Sequence, residues 1–127
     1  MSGAAEVSII RGADLKEGPP TPGMSRREAF ATESLWAGSV RTEPGMVSGW
    51  HHHAEHDTII YVLTGELLLE YGPDGASSVL AKPGDFAFVP RGTVHRESNP
   101  SSVPADLVAV RSGQGETLVN VAGPEES

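Results

Sequence analysis

The stretch Trp50-His51-His52-His53-Ala54-Glu55-His56-Asp57 contains four of the five histidines of the chain. The fifth, His95, lies in a separate part of the sequence. Imidazole is a common ligand of transition metals, and the ligands of one site often come from different strands. The distribution of histidine therefore indicates a metal site that is built from two separated segments.

The residues on both sides of this stretch alternate between short apolar segments and turns. Gly72-Pro73-Asp74-Gly75 is a hairpin signal, and Lys82-Pro83-Gly84-Asp85 is a second turn. No segment has a convincing helical period, and strands at this spacing are typical of a sandwich or a barrel. The sequence therefore predicts an all-β domain, with strands at residues 7–10, 30–36, 39–42, 46–53, 57–64, 66–71, 79–81, 86–89, 94–98, 106–111 and 117–121.

Length and composition narrow the class of protein. The chain has 127 residues, which fits one domain. Its net charge of −8 and its pI near 5.0 argue against nucleic acid or an anionic membrane surface as a partner. Cysteine is absent, so neither a disulfide nor a thiolate metal site is possible. The N-terminus has no signal-peptide features and no apolar segment approaches the ~20 residues of a membrane helix, so we expect a cytoplasmic protein.

Proline and glycine interrupt the N-terminal part of the chain at Gly18-Pro19-Pro20-Thr21-Pro22-Gly23. We therefore expect residues 1–28 to form an arm, which is either solvated, covers the mouth of the barrel or crosses to a partner subunit. Residues 29–122 are expected to form the barrel domain, and residues 123–127 are expected to form a C-terminal tail.

Strand geometry selects three of the five histidines as metal ligands. Because side chains alternate along a strand, His51 and His53 face one way and His52 faces the other. We expect His52 and His56 to be surface residues near a turn. A third ligand must then come from a neighbouring strand, and His95 is the histidine that remains to supply it. A buried cluster of imidazoles also needs a counter-interaction, which a metal ion provides.

Two carboxylates are candidates for moving protons near such an ion. Glu97 follows His95 by two residues and therefore shares its face of the strand. It either acts as a general acid or base, orients a histidine, or pairs at the strand end with Arg91 or Arg96. The second candidate is Asp57, which begins a predicted strand directly after the histidine-rich stretch.

Apolar residues on the predicted strands indicate what must be covered. The strand at residues 57–64 is apolar on both faces, a pattern typical of a strand that is buried on both sides. The face that carries Ile59, Tyr61 and Leu63 must be covered by a partner sheet or by the N-terminal arm, and we expect a homodimer.

The aromatic side chains have two possible places. Trp50 and Tyr61 are candidates for lining the pocket of the barrel. Phe86 and Phe88 are expected to be plain core residues, because aromatic residues on strands more often have that role.

Two motifs in the sequence resemble those of the cupin family. The family's second motif, G-x5-P-x-G-x2-H-x3-N, is matched without exception, at Gly84, Pro90, Gly92, His95 and Asn99. Its first motif, G-x5-H-x-H-x(3,4)-E-x6-G, is matched at Gly45, His51, His53 and Gly65. The resemblance to the cupin superfamily implies a small single-domain barrel, the all-β double-stranded β-helix or jelly roll.

The first motif is incomplete at its glutamate. Counting back from Gly65 places this residue at Thr58, a poor metal ligand, whereas counting forward from His53 with the shorter gap reaches Asp57. Asp57 would therefore complete the site only through a β-bulge. The alternative is a site of three histidines, with Asp57 as a group of the pocket. The register of the residues that lead to Gly65 looks undisturbed, which favours the second arrangement.

The resemblance also implies a class of function. A divalent transition metal (Fe, Mn, Ni or Zn) would be held by His51, His53 and His95, with Glu97 or Asp57 as a catalytic group. The protein would be a metalloenzyme acting on a small oxygenated substrate, as a dioxygenase, isomerase or epimerase, cyclase or lyase. The alternative is a non-catalytic cupin module that binds or senses a metal or a small molecule.

Overall fold

A computed structural model describes residues 6–19, 21–114 and 118–126 of the chain. Within these ranges the regular structure consists of eleven strands and one three-residue 3-10 turn at Gly12–Asp14. This part of the chain contains no helix with the length and apolar character that spanning a membrane would require. The strands are β1 (Lys16–Glu17), β2 (Met24–Ala31), β3 (Leu35–Thr42), β4 (His51–His52), β5 (Asp57–Thr64), β6 (Leu67–Tyr71), β7 (Ser77–Ala81), β8 (Phe86–Val89), β9 (His95–Ser98), β10 (Ala105–Ser112) and β11 (Val119–Asn120).

The strands form two antiparallel sheets. The first sheet has the order β1-β2-β3-β10-β5-β8, and the second has the order β11-β4-β9-β6-β7. From β3 onward the chain changes sheet at every connection except the hairpin that joins β6 to β7. The all-β double-stranded β-helix predicted from the sequence is thereby confirmed.

The core lies between the sheets and is supplied by alternate residues of the strands. In β5, Thr58, Ile60 and Val62 are buried, whereas Ile59 and Leu63 are about half exposed. The prediction that this strand is buried on both sides is therefore wrong for the single chain, because only one of its faces meets the second sheet. The other buried apolar residues come from both sheets: Met24, Val40, Met46, Leu67, Leu69, Ala81, Val89, Ala105, Leu107 and Ala109.

Two residues of the sequence motifs stabilise loops that connect the two sheets. Gly65 has a φ of +74°, and a Cβ built on it would lie 2.6 Å from the Cα of Ala105, so no other residue type fits there without strain. Asn99 is fully buried. Its side-chain amide donates to the carbonyl of Val103 at 2.9 Å, and its Oδ1 accepts from the backbone amide of Ser101 at 3.0 Å.

The N-terminal strands differ from the prediction. The whole of β1 and the first five residues of β2 lie within the predicted arm, and Met24 is buried in the core. Residues 7–10 form no strand. The predicted strand at residues 30–36 is divided by a turn between β2 and β3, where the backbone amide of Thr32 donates to the carbonyl of Leu35 at 2.7 Å.

Two further predicted strands are shorter than expected. Of residues 46–53, only the two residues of β4 are in a strand, and Val47 forms an isolated bridge with Ser98. Of residues 117–121, the strand β11 contains Val119–Asn120, and residue 117 lies outside the described part of the chain. The segment that leads into the histidine stretch is thus mostly loop.

The outer face of the first sheet carries an apolar row that crosses five neighbouring strands. The residues that lie side by side in this row are Phe30, Ala37, Val110, Ile59 and Phe88. Phe86 and Phe88 are 73% and 60% exposed, so the prediction that they are core residues is wrong. The inward positions of β8 belong to Ala87 and Val89 instead. Tyr61 also lies on this outer face, with its ring centroid 4.6 Å from that of Phe86, and not in the pocket.

The homodimer expected from the sequence stays a prediction, and this apolar row is the surface on which it can be tested. Burial of one phenylalanine side chain contributes ~1.5–3 kcal/mol, and a symmetric dimer contains each substitution twice. We therefore expect Phe88→Ser to raise the dimer dissociation constant by about a hundredfold or more, as measured by light scattering across a concentration series. The matched control is Leu80→Ser on the second sheet, which should leave the dimer intact. If both variants have the same dimer dissociation constant, the apolar row is not the dimer interface.

Candidate metal centre

The structure brings His51, His53, His95 and Glu97 together on the second sheet. His51 pairs directly with His95 across β4 and β9, and Glu97 follows on the same face of β9. One potential ligand atom from each of the four side chains lies within 4.8 Å of the other three. The three histidines are 7%, 4% and 1% exposed. The cluster is therefore an interior feature of the barrel.

Backbone carbonyls orient two of the imidazoles so that their Nε2 atoms face the centre of the cluster. Nδ1 of His51 donates to the carbonyl of Gly49 at 2.9 Å, and Nδ1 of His95 donates to the carbonyl of Thr93 at 2.9 Å. A carbonyl oxygen only accepts, so Nδ1 of each ring carries a proton, and whenever the ring is neutral its lone pair is on Nε2, the atom that faces Glu97. Backbone carbonyls orient metal-binding histidines in this way.

Glu97 faces these nitrogens with a buried negative charge. Its Oε1 lies 3.2 Å from Nε2 of His95 and 3.8 Å from Nε2 of His51, and its side chain is 12% exposed. Burial raises the pKa of the Glu97 carboxyl, but hydrogen bonds and charge attraction from His51 and His95 outweigh burial and hold the pKa well below its usual range. Burial likewise lowers the pKa of His51, but Glu97 outweighs this effect and the net pKa is raised.

The donor set fits a divalent transition metal. Nitrogen and carboxylate ligands lie ~2.0–2.2 Å from such an ion, so adjacent ligand atoms are about 3.0–3.5 Å apart. The spread of up to 4.8 Å among the four atoms is compatible with one ion at their centre after small side-chain movements. Three imidazoles with one carboxylate suit Fe, Mn, Ni or Zn. Three histidines and Glu97 could therefore hold a metal.

Glu97 of β9 is the fourth member of this cluster. In the family's first motif the corresponding glutamate instead follows the two histidines at the positions of His51 and His53. The alternative in which Glu97 pairs with an arginine is wrong. Arg91 pairs with Asp57 at 3.1 Å, and Arg96 pairs with Glu70 at 3.0 Å. The signal in the sequence was the two-residue spacing from His95, which correctly placed Glu97 on the inner face.

Asp57 does not join the cluster. Its two carboxylate oxygens accept hydrogen bonds from the backbone amide and the guanidinium of Arg91, and these bonds hold the pKa of Asp57 below its usual range. Thr58 takes the inward position instead. A register shift does occur in β5, but it lies at Leu63, near the far end of the strand, and cannot rotate Asp57 inward. The expectation that Asp57 is a ligand or a pocket group is therefore wrong.

The remaining residues of the histidine-rich stretch lie outside the cluster. His52 points away from it and accepts a hydrogen bond from the backbone amide of Ala54 at 3.0 Å. His56 was expected at the surface but is buried, and its Nδ1 donates to the carbonyl of His53 at 3.1 Å. Trp50 packs against the guanidinium of Arg96 and does not line the cavity.

A cavity of about 250 Å³ lies beside the cluster. Its wall contains Thr58, the position to which the first motif assigns its glutamate, and two arginines that the sequence does not single out, Arg26 and Arg111. Thr21 and Pro22 also line it, so part of the predicted arm forms the cavity wall. Nothing local in the sequence marks Arg111 as a cavity residue, because its position depends on the pairing of β10 with β3 and β5.

Comparison with known proteins agrees with this architecture. The Cupin domain family model matches residues 38–111. YdbB of Bacillus subtilis (strain 168) is 40% identical over 70 residues, which make up 55% of this chain and 58% of YdbB, so the match spans less than two thirds of that relative.

Two solved structures show the same fold at low sequence identity. The polyketide cyclase RemF from Streptomyces resistomycificus has a TM-score of 0.75 and 21% identity, covering 95% of this chain and 89% of RemF. KdgF from Halomonas sp. has a TM-score of 0.70 and 24% identity, covering 86% of this chain and 96% of KdgF. The family match spans more than half of the chain and contains both histidine segments, so the protein belongs to the cupin domain family.

Proposed function

We infer that this protein is a metal-dependent cupin enzyme that acts on a small oxygenated organic molecule. The observation that carries this proposal is the convergence of His51, His53, His95 and Glu97 within 4.8 Å, beside a cavity of about 250 Å³. Ligand sites for drug-sized molecules usually have volumes of ~300–1,000 Å³, so a substrate of this cavity is small.

Each residue of the cluster has a proposed role. His51, His53 and His95 hold the divalent ion through their inner nitrogens. Glu97 acts as the fourth ligand and brings a negative charge to the same point. The ion, when bound, polarises a substrate oxygen or lowers the pKa of a bound water molecule. The reaction classes open to such a site are those of a dioxygenase, an isomerase or epimerase, a cyclase or a lyase.

The apolar wall gives the site a second property. Val40, Ile60 and Leu107 line the cavity together with Met24 and Met46. Such a surface excludes water from the bound molecule and strengthens the electrostatic effect of the ion. A small number of polar groups that converge in a largely apolar cavity is the usual form of a small-molecule site.

The first prediction from this proposed function concerns the histidines. We expect wild-type protein, purified without chelators or metal-affinity steps, to contain about one divalent ion per chain by elemental analysis. His51→Ala should lose the ion, because it removes a ligand, whereas the adjacent His52→Ala should keep it. No metal in the wild type, and none taken up on titration, would refute the metalloenzyme proposal. Full metal content without turnover of any substrate class would favour the binding module.

The second prediction concerns Glu97. Glu97→Gln keeps the shape of the side chain but removes its charge, so we expect metal affinity to fall by about 10–100-fold. Competition with a chromophoric chelator measures this change. Glu70→Gln, which alters an ion pair outside the cavity, is the matched control and should bind metal like the wild type. Unchanged affinity in Glu97→Gln would exclude Glu97 as a ligand.

The third prediction concerns pH. Metal binds neutral imidazole. Burial lowers the pKa of His51, but Glu97 outweighs burial and raises this pKa above its ordinary value. A raised pKa means that protons compete with the metal at a higher pH than they would at an ordinary histidine. Metal affinity should therefore decline as the pH falls, and the decline should begin at a higher pH than an ordinary histidine would give. Glu97→Gln should move its onset to lower pH. Affinity that stays constant down to about pH 5 would contradict ligation by histidine.

A further inference from the structure

Two buried polar atoms on the cavity wall have no hydrogen-bond partner among the described residues. They are Oγ1 of Thr58 and Nε of Arg111. The two residues are direct neighbours across β5 and β10, and both line the cavity beside the metal cluster. Buried polar atoms in folded proteins are nearly always satisfied, so a neighbouring unsatisfied pair indicates a missing binding partner.

The guanidinium of Arg111 packs against an aromatic ring and forms no salt bridge within the described residues. It lies over the ring of Trp36, with Cζ 5.0 Å from the ring centroid. No carboxylate in the described residues lies within salt-bridge distance of Arg111, and the nearby Glu28 accepts a hydrogen bond from the indole of Trp36. A planar cation stacked on a ring retains its edge for hydrogen bonding to an anion.

A second arginine lies on the same cavity wall. Arg26 of β2 donates to the hydroxyl of Thr21 at 2.8 Å, and it has no carboxylate within salt-bridge distance in the described residues. Burial lowers the pKa of Arg111; attraction to Glu97 opposes this effect and repulsion from Arg26 adds to it. The chain thus directs two cations into one small cavity in a protein whose net charge is −8.

Structural roles account poorly for this arrangement. A partly buried cation whose buried Nε has no hydrogen-bonded acceptor is unfavourable for folding, so packing against Trp36 is a weak reason for a guanidinium at this position. Arginine and a carboxylate form a pair of parallel, charge-assisted hydrogen bonds, which would satisfy Nε of Arg111. The adjacent Thr58 hydroxyl can donate to the same group.

We propose that Arg111, together with Arg26 and the Thr58 hydroxyl, binds the carboxylate of a small organic acid in this cavity. A second oxygen of the same molecule, such as a hydroxyl or a carbonyl, then faces the cluster of His51, His53, His95 and Glu97. The substrate class is therefore a small hydroxy or oxo acid. This assignment deepens the proposed function, and its reference to the metal rests on that function.

The test uses the fluorescence of Trp36, which contacts Arg111 and requires no metal. The chain has two tryptophans, so Trp50→Phe isolates this signal. Metal-free protein in this background is titrated with lactate, pyruvate and malonate, and in parallel with the neutral lactamide and ethylene glycol. We expect a saturable change with the acids and none with the neutral compounds.

Variants then assign the effect to the guanidinium. Arg111→Gln should weaken binding of the acids by at least about tenfold, because it removes a charge-assisted bidentate contact. Arg111→Lys keeps the charge but loses the planar pair of donors that binds a carboxylate through both oxygens. Its affinity for the acids should lie between those of Arg111→Gln and the wild type. The matched control is Arg27→Gln, one residue from Arg26, which donates to the carbonyl of Gly12 and does not line the cavity. It should bind the acids like the wild type, and thermal melts verify that all variants are folded.

The outcomes separate this inference from the proposed function. Metal content is measured on the same proteins, and Arg111→Gln should keep the metal of the wild type. If no protein binds metal but the acids still bind through Arg111, the metalloenzyme proposal fails and the carboxylate subsite stands. If the acids and the neutral compounds behave alike, or if Arg111→Gln and Arg111→Lys both bind the acids as tightly as wild type, the carboxylate subsite is refuted.

Discussion

The alternation of side chains along a β-strand is the constraint on which the site of this protein depends. It turns His95 and Glu97 inward from β9 and His51 inward from β4, and the buried His53 follows directly after β4. The direct pairing of His51 with His95 then brings the inward-facing side chains of the two segments together. The cluster is therefore a consequence of backbone geometry, which already places the four side chains close to one another.

The buried polar groups of the cavity differ in whether the described chain satisfies them. Imidazoles and a carboxylate are costly to bury, and they are tolerated here because backbone carbonyls and the Glu97 charge satisfy them. Arg111 and Thr58 lack such compensation within the described chain. The cavity thus combines a satisfied polar cluster with unsatisfied polar atoms, and apolar side chains line much of the rest of its wall. The apolar core and the strand ladders supply the stability that such a site requires.

The first sheet serves two surfaces at once. Its inner face supplies Arg26, Thr58 and Arg111 to the cavity, from three different strands. Its outer face presents an apolar row that ends at the exposed Phe88 on the edge strand β8. The addition of β2 extends both faces, because it brings Arg26 to the mouth of the cavity and Phe30 to the outer row. The N-terminal segment is therefore part of the architecture that surrounds the site.

The sequence alone determined the features that have a local cause. Strand alternation and turn residues are set within a few positions, so the all-β barrel, the bounds of β5 and β8, and the inward direction of His51, His53 and Glu97 could all be predicted. The identity of the histidine on the distant strand followed from the small number of histidines. Phe86 and Phe88 were misplaced because periodicity identifies two faces of a strand but does not say which face is covered.

The tertiary structure decided which distant residues meet. The pairing of Asp57 with Arg91, the place of Thr58 at the inward position, and the position of Arg111 beside Thr58 depend on the register between strands far apart in the chain. A shift of one residue in that register would exchange the two faces of a strand, and the register depends on which faces of distant strands are buried together. The sequence therefore determined which residues can enter the barrel, and cross-strand register determined which of them form the site.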